Sequence, residues 1–433
     1  MSQQKQTDTL STHNGPAVDW VERDEPQWMI ALRRKAFESF SNESWPTPQD
    51  EEWRRTDITA LDLSKYEYVA AGPTNQERQD RDEHRGKHAG IIEFDSRRCI
   101  YSELDPALKE KGVRLISLSE ALREEHKVIE EVFQASIEQP ANRFQSWHYS
   151  QWTHGVFLYV PKFVEIADPF LLNFREVGQG VFSAPHVVVI METGARAVVI
   201  QRISSDEDQE IFCNEGADFR VDDAASLEFI RIEDLSYKSH FFNHSHATTK
   251  KDSAFKHLEV VFGSKLYKSR LEAVLEGAGG DLDLNGIYFA HKKQHIDIGT
   301  IQRHSAPNAN SRSFYKGAAR QKGRTVYRGL IEVDRNAAQT DAYLTNKNLV
   351  LNDGARSDSI PMLKINTNDV KCSHGSTTGK IDEEQLFYLM SRGFSRTEGE
   401  RFLIMAFFDD VILQCHPSVH EELQATIQER LDY

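Results

Sequence analysis

Cysteine is scarce in this chain of 433 residues. Cys99, Cys213, Cys372 and Cys415 are the only four, and no Cys-x-x-Cys pair occurs. A disulfide framework is therefore not expected, and a reducing compartment fits better. No run of eighteen apolar residues exists, so no membrane span is expected. The N-terminus, MSQQKQTDTLSTHNGPAVDW, lacks the apolar centre of a secretion signal and the Arg-rich amphipathic pattern of an organelle address. The expected location is the cytoplasm. Positive charge is in deficit as well. With 52 Lys and Arg against 67 Asp and Glu, the formal net charge is −15, which argues against general binding to nucleic-acid backbones.

What is present divides by hydrophobic period. Length alone suggests two or three parts. Residues 1–25 read as a disordered tail, and the polar stretch 72–90 as a mobile insertion. Met29, Leu32, Ala36 and Phe40 mark one face of a helix. Ser117 and Glu120 have capping-box spacing for another, whose apolar face includes Leu122, Val128 and Val132. The first part, 1–150, is thus expected to be mainly helical with some short strands. From 151 to 375 the period changes. HVVVIMETGARAVVIQRI places two β-branched runs around a turn, and Leu271, Ala273 and Leu275 alternate with Glu272 and Glu276. So long a region of strand and turn could be held by a solenoid, because each coil needs only its neighbours for burial. A barrel or sandwich could hold part of it. After 376 helical spacing returns. Gly393 is placed as a C-cap, Ser395–Glu398 and Ser418–Glu421 have capping-box spacing, and Leu423, Ile427 and Leu431 share a face.

Candidate chemistry is sparse. KCSHGSTTGK ends in Gly-Lys, but Gly375 and Gly379 enclose three residues where a phosphate loop needs four, and Ile381 follows Lys380 in place of a hydroxyl. Cys372 and His374, two apart on an extended run, would share one strand face. A thiolate with an imidazole suits iron, zinc or copper, yet two ligands do not complete a site. The alternative is a buried Cys beside a hydrogen-bonded His. Seven histidines (His240, His244, His246, His257, His291, His295 and His304) crowd the strand region without an HExxH motif. They fit hydrogen-bonded strand positions better than a metal centre, although stacked coils could bring distant ones together. Lys316, Arg320, Lys322, Arg324 and Arg328 form a local basic stretch, read as a solvated loop or an acidic-partner contact ahead of a nucleic-acid site. Phe402, Met405, Phe407, Phe408 and Ile412 are too many apolar side chains for one small helical core. They read either as a docking surface or as packing against the strand region.

NDVKCSHGSTTGKIDEEQLFYLMSRGFSRTEGERFLIMAFFDDVI resembles the C-terminal segment of the SufB/SufD family of iron–sulfur cluster assembly components. SFYKGAARQKGRTVYRGLIEVDRNAAQTDAYLTNKNLVLNDGARSDSIPMLKI is similar to its strand region, and PTPQDEEWRRTDITAL to its N-terminal segment. DVKCSHG resembles the SufD form, and Asn346 stands where SufB-type chains carry a thiol. Ser376 and Thr378 depart from the Ala-Thr-Val pattern commoner in the family.

The resemblance implies a mainly β fold: a right-handed parallel β-helix flanked by helical N-terminal and C-terminal domains. It implies a non-catalytic scaffold that pairs with a SufB-like subunit and with a SufC-like ABC ATPase, or forms a homodimer when isolated. A transient iron–sulfur cluster would be shared with the SufB partner. His374 would be its ligand, with Cys372 as support or occasional ligand. The helices after 376 would dock the ATPase through Phe402, Met405, Phe407, Phe408 and Ile412, and this chain would bind no nucleotide. The glycines after His374 would turn the chain from the last strand toward those helices. The rival readings are a purely structural platform and a free-standing β-helix enzyme.

Overall fold

The computed structural model describes residues 25–68, 87–124, 126–137 and 140–432. The tail at 1–25, apart from Glu25, lies outside them, as does the insertion from 72 to 86.

Between His154 and Gly379 every regular element is a strand, and from Pro185 on successive strands go alternately to two sheets. Glu210–Val221, His240–Thr249, Leu266–Leu275, His295–His304, Arg324–Val333 and Arg356–Ile365 stack in parallel in one. Ser226–Asp234, Ala254–Val261, Asp281–Ala290, Asn310–Ala319, Thr340–Val350 and Val370–Gly379 stack in the other. The result is a parallel β-solenoid of about eight turns. Phe212, His240, Leu266, His295, Arg324 and Arg356 stand in one column, so a coil takes roughly 30 residues. No sequence repeat is needed, because each coil asks only for apolar residues at alternate positions.

Side-chain alternation decides what lies inside. Leu271, Ala273 and Leu275 are buried in the solenoid interior, while Glu272 is half-buried and Glu276 exposed. Pro185–Met191 is buried at every position. Its Val187, Val189 and Met191 face the interior, and Val188 and Ile190 pack outward against Phe133 and Trp152 of the N-terminal part. A strand covered on both faces reads as an unbroken apolar run. The interior also holds charge. Arg231 lies 3.2 Å from Glu215 and donates to Asn243 at 3.0 Å.

The N-terminal part contains more than helices. Gly90–Asp95 extends one solenoid sheet by pairing with Phe170–Glu176, and Arg114–Ser117 pairs antiparallel with His154–Val160. In the helix Gln27–Asn42, Met29, Ala36 and Phe40 are buried as the spacing suggests, but Leu32 is half-buried. Arg33 takes the inner place, paired with Glu25 at 2.7 Å and lying over the Trp152 ring. In the helices Leu118–Glu124 and His126–Ile137 the buried apolar positions are Leu118, Ala121, Leu122, Ile129, Phe133 and Ile137. Val128 and Val132 are one step off that face and half-buried. Ser117 does cap its helix, accepting from the Glu120 amide at 3.3 Å.

At the other end, Glu383–Ser391, Arg396–Ile412 and His420–Asp432 are helices. Ser395 and Glu398 form a complete capping box, and Gly393 takes a positive φ of 100° after the first helix. Ser418 differs from its expected role. It lies in the short turn Pro417–Val419, where the His416 side chain accepts from its amide. The last two helices return along the outer face of the second sheet. Ile404, Phe408, Val411, Ile412, Leu423, Ile427 and Leu431 bury against Ile230, Leu258, Val260, Ile287 and Phe289. Among the described residues no helix is long and apolar enough to cross a membrane.

Candidate functional site

Arg356–Ile365 and Val370–Gly379 end the solenoid, and among the described residues each has a sheet neighbour on one side only. The Gly-rich stretch is not a turn. Val370–Gly379 stays in register with Thr340–Leu349 throughout, and Gly375 pairs with Thr345 inside the strand. The expected turn at these glycines is therefore displaced to Lys380–Ile381. A flat strand also cannot cradle a phosphate chain, and Lys380 is paired with Asp353 at 2.9 Å.

Cys372 stands over Ala342 and His374 over Leu344. Ala342 and Leu344 are interior residues, 1% and 0% exposed. Register partners in a parallel sheet point the same way, so Cys372 and His374 both continue the interior face. One more coil would bury them. Without it, Cys372 is half-buried and His374 exposed. A recess of about 420 Å³ opens beside Cys372, lined by Arg312, Asp341, Tyr343, Lys371 and Ser373. Among the described residues no three His, Cys, Asp or Glu side chains are placed to hold a metal ion. The pair is at most part of a coordination sphere.

Burial pushes the Cys372 thiol up, with a backbone hydrogen bond at Ala342 offsetting part and the Asp341 carboxylate adding to it. The other thiols are also held protonated, chiefly by burial. Cys99 is pushed up to about 11, Cys415 to about 12, and Cys213 well above the usual thiol range. None is a preformed thiolate, so a soft metal arriving at Cys372 must displace a proton.

The strand-region histidines do not converge, for no two of the seven are register neighbours. His240 meets the Tyr66 hydroxyl at 2.9 Å, His295 the Thr56 hydroxyl at 2.9 Å, and His304 the Ser311 hydroxyl at 2.8 Å. The basic stretch also disperses. Lys316 pairs with Asp410 under the C-terminal helices, Arg320 donates to the Leu431 carbonyl, and Arg328 is buried on Asp297.

Of the five apolar residues assigned to docking, Phe408 and Ile412 are fully buried against the solenoid, and Met405 and Phe407 pack beside them. Only Phe402 is exposed, at 56%. The helix has one face for the sheet, and these four occupy it. The exposed apolar surface is instead Phe402 with Phe387, Tyr388, Met390 and Phe394. Tyr388, Leu389 and Phe402 line a shallow recess between the first two C-terminal helices. The signal missed was QLFYLM, six mostly apolar residues in a row, which no single helix face can bury.

Residues 174–407 match the family described as SUF system FeS cluster assembly, SufBD core domain, and residues 3–172 match the SufBD protein N-terminal region. The iron–sulfur cluster assembly SufBD family protein of Mycobacterium tuberculosis is 32% identical over 68% of this chain and 75% of its own length. Its counterparts in Staphylococcus epidermidis and Staphylococcus saprophyticus are 25% and 26% identical, each over 89% of this chain and 86% of their own. The chain belongs to the SufBD family of iron–sulfur cluster assembly proteins.

Proposed function

We propose that the chain is the SufD-type subunit of a Suf assembly complex, a non-catalytic cytoplasmic scaffold. Its last coil abuts the last coil of a SufB-like subunit, and the nascent cluster, the cargo of the complex, is held at that joint. His374 supplies an imidazole to iron from this side, and Cys372 stands beside it as support or occasional ligand. The observation that carries this reading is an exposed His374 on the inward face of an uncapped coil. Its remaining co-ligands must come from across the joint. Imidazole ligation suits cargo, because it holds iron less tightly than four thiolates would.

Three features support the partners. The two terminal strands are 10 residues each with open edges, and such edges pair with another chain. Asn346 is locked by hydrogen bonds to the Tyr288 hydroxyl at 2.8 Å and the Tyr315 carbonyl at 3.1 Å, an amide where a SufB-type thiol would stand. The exposed surface of Phe387, Tyr388 and Phe402 fits the SufC-like ATPase, which binds the ATP.

Co-expression with SufB-like and SufC-like subunits tests this. His374→Ala should leave complex assembly and ATP hydrolysis intact and abolish most of the cluster absorbance, while Cys372→Ser should reduce it in part. Full cluster yield with both residues replaced would make the chain a structural platform only.

A further inference from the structure

A cavity of about 840 Å³ opens along one corner of the solenoid, far larger than a single ion needs, and five of its lining residues are lysines: Lys238, Lys265, Lys292, Lys293 and Lys322. They belong to consecutive coils. Lys265 accepts at its carbonyl from the His295 amide, and Lys292 from the Lys322 amide, both at 2.9 Å. The corner turns are thus hydrogen-bonded one above another, and the lysines cannot separate along the axis. Neighbouring coils lie about 4.8 Å apart, which sets the pitch of the ladder.

This concentration of charge is unusual for a chain of net charge −15. Elsewhere surface lysines meet carboxylates, as in Lys250–Glu276, Lys364–Glu332 and Lys380–Asp353. Here Lys238 meets Asp208 at 2.8 Å and Lys292 lies over the Tyr237 ring. Lys265, Lys293 and Lys322 have no carboxylate within ion-pair distance among the described residues. The one acid in the lining, Glu210, is engaged by the Tyr66 hydroxyl. Behind the ladder His291 is buried and edge-on to Tyr237. Burial first, then Lys292, Arg320 and Arg430, hold its imidazole down to about 4.

We propose that the corner groove lined by Lys238, Lys265, Lys292, Lys293 and Lys322 is a binding site for a soluble ligand bearing a chain of phosphates. Lysine is a compact point charge with three donors, suited to phosphate oxygens from several directions. An acidic polypeptide fits less well. Carboxylates on one face of an extended chain recur at about 6.7 Å, out of step with the ladder, whereas linked phosphates bring charge at shorter, adjustable separations.

Titration calorimetry of the full chain with inorganic tripolyphosphate tests the site, with polyglutamate of matched charge as comparison. Tripolyphosphate should bind and weaken as salt is raised. Lys265→Gln/Lys293→Gln should weaken it about tenfold or more, and Lys265→Arg/Lys293→Arg should retain most of it. These side chains are exposed, so both variants should melt as the parent does. Absence of binding at millimolar tripolyphosphate, equal binding by the Gln variant, or tighter binding of polyglutamate would overturn the proposal.

Discussion

The Arg328 guanidinium holds both carboxylate oxygens of Asp297, at 2.9 and 2.8 Å, in a place closed to solvent. Lys268 reaches the same carboxylate at 3.1 Å, and the Thr56 hydroxyl donates to it. Arg328 and Lys268 also bond the Glu51 and Glu52 carbonyls. One buried carboxylate thereby ties the N-terminal segment around Thr56 to the outer face of the solenoid.

Asp297→Asn should destabilise the chain by roughly 3–5 kcal/mol, because it leaves two buried cations without their counter-charge. Denaturant titration checks this. Burial alone would raise the Asp297 pKa, but Lys268, Arg328, His295 and Thr56 outweigh it and hold the carboxyl below its ordinary value. Its stabilising contribution is therefore present above the unfolded value, about 3.9, and is lost as pH falls through the lower folded value. The acid limb of the stability curve should shrink in the variant.

Glu233 has the opposite sign. Burial pushes its carboxyl up to about 8, against hydrogen bonds from Ser264 and Leu235. The protonated form is favoured in the fold, so stability is full below the unfolded value and falls as pH rises toward about 8. Glu233→Gln removes the titration and keeps an acceptor oxygen. At pH 8.5 it should be the more stable protein, by on the order of 4–5 kcal/mol, with the difference vanishing near pH 4. Thermal melts across that range would show a flat difference if the carboxyl ionised normally.

The two faces of the helix Arg396–Ile412 should separate cleanly. Phe408→Ala removes a fully buried ring and should cost about 3–5 kcal/mol. Phe402→Ala should change stability by no more than about 0.5 kcal/mol while weakening capture of the ATPase subunit. Pull-down and denaturation on the same pair of variants would reveal the reverse pattern if Phe408 were the docking residue.

Isolated chains should pair through the open edges of Arg356–Ile365 and Val370–Gly379. Leu363, 38% exposed on a terminal strand, gives the test. Leu363→Lys should convert a dimer to a monomer in sedimentation without lowering the melting temperature, as lysines do at natural sheet edges. A dimer that survives the substitution would place the contact elsewhere.

The parts of the fold legible in the sequence were those with a strong local period. Leu271, Ala273 and Leu275 announced an inward face, and Ser395 with Glu398 announced a helix start. Helix faces were off by one step wherever a buried polar residue or a second packing partner intervened, as with Arg33 for Leu32 and Phe133 for Val132. The Cys372–His374 pair could be placed on one strand face, but its exposure depends on being in the last coil, which no local pattern encodes. Phe408 and Ile412 were misplaced for a similar reason, since the sheet that buries them belongs to strands far back in sequence, such as Asp281–Ala290 and Asn310–Ala319. The lysine ladder recurs at one residue or two per coil, and that period becomes visible only once the coil length is known.

The proposed role of this chain requires that His374 touch the iron of the cargo. Pulsed electron paramagnetic resonance on the reduced, cluster-loaded complex, with only this chain carrying nitrogen-15 histidine, reads that contact directly. A histidine nitrogen hyperfine coupling should be present in the parent complex and absent with His374→Ala. A coupling that persists in the variant, or one that is missing from a fully loaded parent complex, would contradict it.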